Sequence, residues 1–449
     1  LDAAESVCSD ERLDPASIAE HLATLVDRSL VVAYRIDGVV RHRLLETIRE
    51  YAATELGNQT NELRQQHCAW ALELSRNIGD GFLIATTNWY QRLRADFPNL
   101  RSAFTWSMES GSVNTALDIA SALRWAPFNT GHLYSEHRAW IEQALTAAAN
   151  TDVDQLVHAR GLVSAGAVAG LDGRSKDSIE LLCQAVPTLE RLHADEEVVW
   201  CHMWLGAFAA DSGDFDGAVD YSRRGLDLAH RIGSVAGIVY LANQHGENNI
   251  AAAAFLPQPR YLDDARAALT LAASTAQEAN IEEGAVRASN GLAVLDAPIN
   301  PVLSLTKCDA ALASWRRLGS GNRLIMSLVS AARVAILAHD HATSAILLAE
   351  ATDAISAVGW KQPIGRLLET AIVNAVHSDD TTAAAMLCGA CSTKPMTPRW
   401  YVDISTQIDE AITAGRRTDP LAWHSNVELG TAMTDYELFD IVRQLTATH

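Results

Sequence analysis

Apolar and small residues recur at helical spacing between residues 200 and 233, and they predict two antiparallel helices joined by a short turn. Leu205 and Gly206 lie on the first predicted helix, and Ala218 lies on the second. The leucines repeat at the three- and four-residue spacing that shares one helix face. Gly206 and Ala218 are small enough to let the helices approach closely, and Gly213 fits the turn because glycine tolerates positive φ. The pattern predicts a helical hairpin.

Hairpins of this kind return along the chain at intervals of roughly forty residues. Gly166 and Gly173 repeat the spacing of Gly206 and Gly213. Each hairpin leaves a hydrophobic face uncovered, so neighbouring hairpins must stack. The spacing resembles that of tetratricopeptide repeats. We therefore expect a tetratricopeptide-like α-solenoid with a concave groove over residues 151–392.

The regions on either side of the repeats predict three further parts. Residues 1–57 combine a helix, a β-hairpin with the turn Asp37-Gly38 and a second helix, which is the order of a partial winged-helix domain. Residues 58–150 predict a helical connecting region, in which Phe97-Pro98-Asn99-Leu100 predicts a turn into a helix. Residues 393–449 predict C-terminal capping helices. The expected fold class is all-α with one small β-hairpin near the N-terminus.

The composition adds that the chain is acidic and large enough for an extensive core. It has 449 residues, 48% of them hydrophobic, and a formal net charge of −20 at pH 7. This charge disfavours nucleic acid and anionic membranes, which bind basic patches. No apolar run approaches the roughly 20 residues that cross a bilayer. We therefore expect no direct nucleic-acid contact and no membrane contact by this chain.

Cysteine usage and the first residues indicate the cellular compartment. Seven cysteines, an odd number, are scattered along the chain, which is atypical of a secreted disulfide framework and favours the cytoplasm. The first residues lack the basic and apolar regions of a signal peptide. Because the sequence does not begin with Met, we expect it to start inside a longer polypeptide.

Five segments spread along the chain carry a family resemblance. They are LVDRSLV (Leu25–Val31), HRLLETIREYA (His42–Ala52), FPNLRSAFTWSMESG (Phe97–Gly111), AAAMLCGACS (Ala383–Ser392) and DPLAWHSNVELGTAMTDYELFDIV (Asp419–Val442). Together they resemble the C-terminal part of bacterial STAND-type signalling ATPases, the LuxR-like and AfsR-like transcriptional regulators with a tetratricopeptide-type sensor. The resemblance implies an upstream ATPase domain in the same polypeptide and a sensing role for the repeats.

One position departs from the family pattern. Relatives of the AfsR kind carry a Met-His-Asp triplet whose His senses the nucleotide, whereas this chain has Leu44-Leu45-Glu46. Leu45 therefore stands where the resemblance would place that His. The resemblance implies ATP and Mg²⁺ for a full-length relative and no cofactor for this chain.

Catalytic and metal-binding patterns are not found in the sequence. A phosphate-binding P-loop needs Gly-Lys-Ser/Thr, and none of the four lysines has that context. Cys388 and Cys391 have no second Cys/His pair that would complete a zinc site, so small buried helix residues describe this stretch better. His339-Asp340-His341 fits a solvated turn. We expect no catalytic, cofactor-binding or metal-binding residues and no enzyme activity.

The concave groove is where we expect a ligand or partner to bind. In this repeat type the first helix of each hairpin lines the groove, and the positions counted from Gly206 and Gly246 are those expected to face inward. They are Trp200, Met203, Ala207 and Asp211 in one repeat, Asn243 and Glu247 in the next, and Arg333 in a later one. Polar groups that converge in an apolar concavity are typical of a ligand site. The alternative is that they are ordinary solvated positions.

These observations predict a regulatory region that senses a protein partner or a small-molecule inducer. Binding in the groove would shift the upstream ATPase domain between its states. Opposite charges in one groove fit a zwitterionic or peptide ligand, because a buried charge needs a partner. The alternative is a constitutive tetratricopeptide scaffold or adaptor with no small-molecule ligand.

Overall fold

The computed structural model describes residues 1–448 except 12, 37–38, 58, 84–87, 124–132, 257, 360–361 and 395–401. The chain divides into two compact units, one of residues 1–126 and 135–164 and the other of residues 127–134 and 165–449. The domain boundaries expected after residues 57, 150 and 392 stay predictions. In the described ranges, no helix is both long and apolar enough to cross a membrane.

The first unit begins with two helices, a β-hairpin and a third helix. Its first elements are α1 (Asp2–Cys8), α2 (Pro15–Asp27), β1 (Val31–Ile36), β2 (Val39–Leu44) and α3 (Glu46–Leu56). Helix α2 begins after Asp14, whose carboxylate accepts a hydrogen bond from the Ala16 N–H at 2.9 Å. The strands pair antiparallel, with Val31 opposite Leu44. From α2 onwards the element order matches the prediction, whereas α1 is an additional helix that was not predicted. The winged-helix assignment stays a prediction, and the expected Asp37-Gly38 turn lies outside the described residues.

Four more helices follow, and aromatic residues fill the core between them. They are α4 (Gln59–Leu83), α5 (Asn88–Glu109), α6 (Val113–Ala122) and α7 (Tyr134–Ala148). The ring of Trp140 stacks on Phe97 and Phe104, with ring centroids 4.9 and 4.8 Å apart. Trp140 is a core residue.

The turn predicted around Pro98 is wrong. Helix α5 continues from Asn88 to Glu109 with Pro98 inside it. A proline in a helix interior removes a hydrogen bond and clashes with the preceding turn. Buried residues on both sides, Leu93 and Phe97 before it and Leu100 after it, hold the helix in place.

The repeat region consists of successive helical hairpins, as predicted. Its helices are α8 (Gln155–Leu171), α9 (Ser175–Arg191), α10 (Asp195–Asp211), α11 (Phe215–Ile232), α12 (Val235–Phe255), α13 (Arg260–Glu278), α14 (Glu282–Asp296), α15 (Pro301–Leu318), α16 (Gly321–Leu337), α17 (His341–Val358), α18 (Ile364–His377) and α19 (Thr381–Cys391). We call the first helix of each hairpin, the even-numbered helices α8 to α18, the inner helices. Helices α10 and α12 have buried residues on all of their faces, whereas α11 has one exposed polar face.

The hairpin of α10 and α11 has the predicted close contact. A Cβ atom added to Gly206 would lie 3.2 Å from the carbonyl oxygen of Ala218 and 3.4 Å from the Cβ of Ser222. Gly213 forms the turn with φ of 85°. The Asn248 amide of the next inner helix donates to the same Ala218 carbonyl at 2.8 Å. The small residues therefore allow both the hairpin and its stacking on the next hairpin.

Replacing Ala218 with Leu is expected to lower the free energy of unfolding by about 1–3 kcal/mol, because Ala218 is fully buried and the added atoms overpack the contact. Urea-induced unfolding followed by circular dichroism measures the change. Ala267→Leu on the exposed face of α13 is the matched control, and its effect should stay within about 0.5 kcal/mol. An unchanged unfolding midpoint for Ala218→Leu would show that this contact does not limit the packing.

The chain ends with α20 (Ser405–Thr418), α21 (Pro420–Ala432), α22 (Asp435–Gln444) and a 3₁₀ turn (Leu445–Thr448). Helices α19 and α21 approach each other at two buried glycines. A Cβ atom on Gly389 would overlap the Val427 carbonyl oxygen, and one on Gly430 would overlap the Met386 carbonyl oxygen. Of the stretch predicted to be small buried helix residues, Gly389 and Ala390 are buried, whereas Cys388 and Cys391 are half-buried. The role of α20, α21 and α22 as capping helices stays a prediction.

Candidate functional site

Most residues predicted to line an open groove are buried. Trp200 and Met203 on α10, Asn243 and Glu247 on α12, and Arg333 on α16 are all buried, and so is Ala207. Asp211, the last residue of α10, is half-buried. The alternative that these are ordinary solvated positions is therefore wrong for Asn243, Glu247 and Arg333. The expectation of an open groove lined by them is also corrected, because the inner helices pack against each other along these faces.

The centre of the site is a buried ion pair between two inner helices. Arg287 on α14 donates from Nε to Glu247 Oε1 at 2.6 Å and from Nη2 to Glu247 Oε2 at 2.5 Å. The side chains of Arg287 and Glu247 are only 1% and 3% exposed. The Gln244 side-chain oxygen accepts a further bond from Arg287 Nη2 at 3.0 Å. This two-pronged geometry is the strongest arrangement for a guanidinium and a carboxylate.

A second ion pair lies closer to the surface. Arg323 on α16 lies 4.0 Å from Glu283 on α14, and the two side chains are 22% and 15% exposed. Burial raises the pKa of Glu283, while the charges of Arg323 and Arg287 oppose that rise. Burial, with the charge of Arg287, lowers the pKa of Arg323 to about 10. The cluster therefore runs from a fully buried end to an end that solvent reaches.

Asn290 is the residue of this cluster whose side chain forms the fewest hydrogen bonds with the protein. It lies on α14 one turn after Arg287 and is fully buried. Neither its amide nitrogen nor its amide oxygen has a hydrogen-bond partner among the described residues. A buried polar group without a partner costs about 1–3 kcal/mol. We call Tyr240, Gln244, Glu247, Glu283, Arg287, Asn290 and Arg323 the inner polar network.

Aromatic residues adjoin the network on one side. The rings of Trp200 and Tyr240 meet edge to face with centroids 5.8 Å apart. Burial raises the pKa of Tyr240 well above its ordinary value, so the hydroxyl stays protonated. The network thus combines an apolar aromatic wall with paired charges and an amide, which is the composition of a ligand site.

The other predicted residues make different contacts. Asn243 donates from its amide to the carbonyl oxygens of Val239 and Gly284, at 2.9 and 3.1 Å, and so ties α12 to α14. Arg333 bonds to Val402, Glu369 and Thr370. Of the predicted set, the structure therefore brings Trp200 and Glu247 to the inner polar network, and the bonds of Arg333 lead elsewhere.

Sequence reasoning missed Arg287 and Asn290, although a signal for them exists. Gly206 is the twelfth residue of α10 and Gly246 is the twelfth of α12. In α14 the twelfth residue is Ala293, so the marker glycine is absent there. Counting back from Ala293 as from the two glycines gives Arg287 and Asn290 at the positions of Trp200 and Met203.

The structure shows the surroundings of the motifs that were weighed for metal and redox chemistry. No group of three or more His, Cys, Asp or Glu side chains there has an arrangement that could hold a metal ion. Burial raises the pKa of the Cys391 thiol, which disfavours a reactive thiolate. In the His339-Asp340-His341 turn, Asp340 caps α17 through the Thr343 N–H at 2.9 Å.

Comparison with known proteins places this geometry in context. No protein-family model matches the chain. Over 150 residues the chain is 37% identical to proteins named "Putative HTH-type transcriptional regulator" from Mycobacterium bovis and Mycobacterium tuberculosis. The match covers 32% of this chain and 16% of each relative, so the chain spans a small part of the relatives it matches.

Solved structures define the fold. A Rap protein complexed with Competence and Sporulation Factor has a TM-score of 0.52 and 12% identity, covering 90% of this chain and 99% of that one. The chain has a tetratricopeptide-like α-solenoid fold. A STAND protein with a tetratricopeptide repeat sensor from Pyrococcus horikoshii has a TM-score of 0.49 and 10% identity, covering 99% and 60%. A TM-score below 0.5 is too low to support an argument about this chain.

Proposed function

We propose that this chain is the sensing region of a transcriptional regulator, and that a zwitterionic or peptide inducer binds at the inner polar network. Similarity to HTH-type transcriptional regulators supports the regulatory role. The α-solenoid fold supports a role in binding, because stacked hairpins present long binding surfaces. The network supports a ligand among the inner helices.

Asn290 is the observation that carries the proposal. A constitutive scaffold that binds partners on its outside gains nothing from a buried amide without a partner. An apolar side chain at that position would be more stable by about 1–3 kcal/mol. The amide offers a donor and an acceptor beside the paired charges of Arg287 and Glu247. Ammonium, carboxylate and peptide groups are the ligand chemistry that matches this set.

The proposed mechanism couples this site to an upstream ATPase domain. Resemblance to STAND-type regulators suggests such a domain, which would hold ATP and Mg²⁺ in the full-length protein. A ligand shifts an equilibrium only if it binds one arrangement of the helices more tightly than the other. The network joins three successive inner helices, so a ligand that enters beside Glu283 and Arg323 would change their packing together.

Asn290→Leu is expected to raise the free energy of unfolding by about 1–3 kcal/mol and to abolish inducer binding. Binding is measured as the thermal shift of the chain with each of the free L-amino acids and a set of dipeptides. A ligand at 100 times its dissociation constant adds about 2.7 kcal/mol, or roughly 3 °C of melting temperature for a chain of this length. The parent chain should show such a shift for at least one ligand, and Asn290→Leu should show none.

Asn248→Leu is the matched control. Asn248 is also a buried asparagine of an inner helix, but it bonds to the Ala218 carbonyl and to Gln244. Its replacement should therefore destabilise the chain, by about 1–3 kcal/mol. If Asn290→Leu is destabilising as well, or if it keeps the full ligand shift, the proposed site is wrong. No shift with any ligand of the panel would favour the scaffold alternative.

A further inference from the structure

A short segment before α20 lies against the inner face of the repeat region. Val402 and Ile404 are buried, while Asp403 between them is exposed. Val402 and Ile404 therefore face the repeat region, while the Asp403 carboxylate caps the start of α20 by accepting a hydrogen bond from the Ser405 N–H at 2.9 Å. Both apolar residues belong to the hydrophobic cluster that contains Val329 of α16 and Leu368 of α18.

Arg333 binds the backbone of this segment. Its Nε donates to the carbonyl oxygen of Val402 at 2.8 Å, and both residues are buried. On the other side, Arg333 Nη1 donates to Glu369 Oε2 at 3.2 Å, and Arg366 donates to the same oxygen at 2.9 Å. The planar guanidinium is thereby fixed with its Nε towards the segment. A hydrogen bond to a main-chain carbonyl oxygen does not depend on the side chain of the residue that supplies the oxygen.

Arg333 has the same position on its inner helix as Glu247 of the inner polar network. Arg333 follows the twelfth residue of α16, just as Glu247 follows the twelfth residue of α12. The segment thus lies on an inner face, where this repeat architecture presents its binding surface. Its contacts are a main-chain hydrogen bond and two buried aliphatic side chains, and peptide recognition uses both kinds of contact.

We propose that residues 402–404 are an internal ligand on a peptide-binding site centred on Arg333. The external ligand is a segment of a partner protein with the pattern aliphatic–acidic–aliphatic, and it binds when the internal segment leaves. A tethered segment competes at an effective concentration on the order of millimolar, so a free peptide is held off until the segment is weakened. This site shares no residue with the inner polar network, so either proposal can fail alone.

The test uses a fluorescein-labelled peptide of residues 402–407, VDISTQ, and the full chain. Ile404→Asp should expel the internal segment, because a charge replaces a buried aliphatic side chain. We expect this variant to bind the peptide at least tenfold more tightly than the parent chain in fluorescence polarisation. Ile299→Asp, at an exposed isoleucine, should bind like the parent. Adding Arg333→Gln to Ile404→Asp should abolish the binding. Equal binding by Ile404→Asp and the parent, or binding that survives Arg333→Gln, would overturn the proposal.

A second measurement covers the case in which Ile404→Asp does not fold. Arg333→Gln in the otherwise unchanged chain should speed backbone hydrogen exchange of residues 402–408 at least tenfold, while exchange in α10 stays unchanged. Arg316→Gln, at an exposed arginine paired with Glu350, is the control and should change neither region. Unaltered exchange of residues 402–408 in the Arg333 variant would contradict an internal ligand held by Arg333.

Discussion

Replacing Arg287 with Met is expected to lower the free energy of unfolding by about 3–5 kcal/mol, the effect of removing one partner of a buried ion pair. Met has a similar length and no charge, so the loss reports on Glu247 rather than on a cavity. Glu247 is almost completely buried, and Arg287 supplies both of the bonds to its carboxylate oxygens. The carboxylate would remain in the core without its hydrogen-bonded partner, and the charge of Arg323, which also acts on Glu247, would compensate for it in part. Urea-induced unfolding followed by tryptophan fluorescence measures the change.

The double variant Glu247→Leu with Arg287→Met separates the cost of the unpaired charge from the worth of the pair. Replacing a buried ion pair by apolar residues of similar volume is often neutral or stabilising, by about 1–4 kcal/mol. We therefore expect the double variant to regain most of the free energy of unfolding that Arg287→Met alone loses. Arg316→Met at the exposed pair with Glu350 should change stability by less than about 1 kcal/mol. A double variant as unstable as Arg287→Met alone would show that the pair stabilises the fold.

The two outcomes bear on why the network exists. If the apolar double variant is as stable as the parent, the ion pair is not needed for folding, and its polar chemistry requires another explanation. Functional sites are where a protein keeps polar groups at the expense of stability. Arg287 and Asn290 lie three residues apart on one face of α14, so the same explanation covers both.

The hairpins could be predicted because their determinants are local. Gly166, Gly206 and Gly246 all lie where an inner helix meets its hairpin partner, and a Cβ on each would lie within about 3 Å of the facing helix. Such contacts involve helices that follow each other directly. The spacing of small residues within one hairpin therefore contains the information needed for the fold.

The ion pair and the closure of the groove could not be predicted in the same way. Glu247 and Arg287 belong to different hairpins, and a single sequence does not show which residues of separate repeats meet. Helical periodicity identifies the inner side of α10 and α12, but it does not show whether that side is open. Here the inner helices bury that side as well.

Pro98 shows how tertiary packing overrides a local signal. A proline inside a helix costs about 3 kcal/mol, so the sequence around Pro98 on its own predicts a turn. Leu93, Phe97 and Leu100 are nearly inaccessible to solvent around it. Each fully buried side chain of this size contributes about 1.5–3 kcal/mol, and together they outweigh the proline.

Gly430→Ala is expected to destabilise the contact of α19 and α21 by about 3 kcal/mol, the upper end of the range for overpacking. The new Cβ would overlap the Met386 carbonyl oxygen, which is backbone and cannot turn aside as a side chain can. Gly389 makes the reciprocal contact with Val427, so Gly389→Ala should have an effect of the same size. Thermal unfolding and hydrogen exchange in α19 and α21 report the loss.

Gly321→Ala is the matched control for this substitution. Gly321 is also helical, but its added Cβ would meet only a Val358 side-chain methyl at 2.8 Å, which can move. Alanine is favoured over glycine in helices by about 0.5–1 kcal/mol, so this variant should be neutral or slightly more stable.

The double variant Gly389→Ala with Gly430→Ala tests whether the two contacts are coupled. Since α19 and α21 touch through backbone at both glycines, its loss of free energy of unfolding should be smaller than the sum of the two separate losses. The first methyl already separates the helices and makes room for the second. Full additivity would mean that the two contacts yield independently and that α19 and α21 do not move apart as rigid helices.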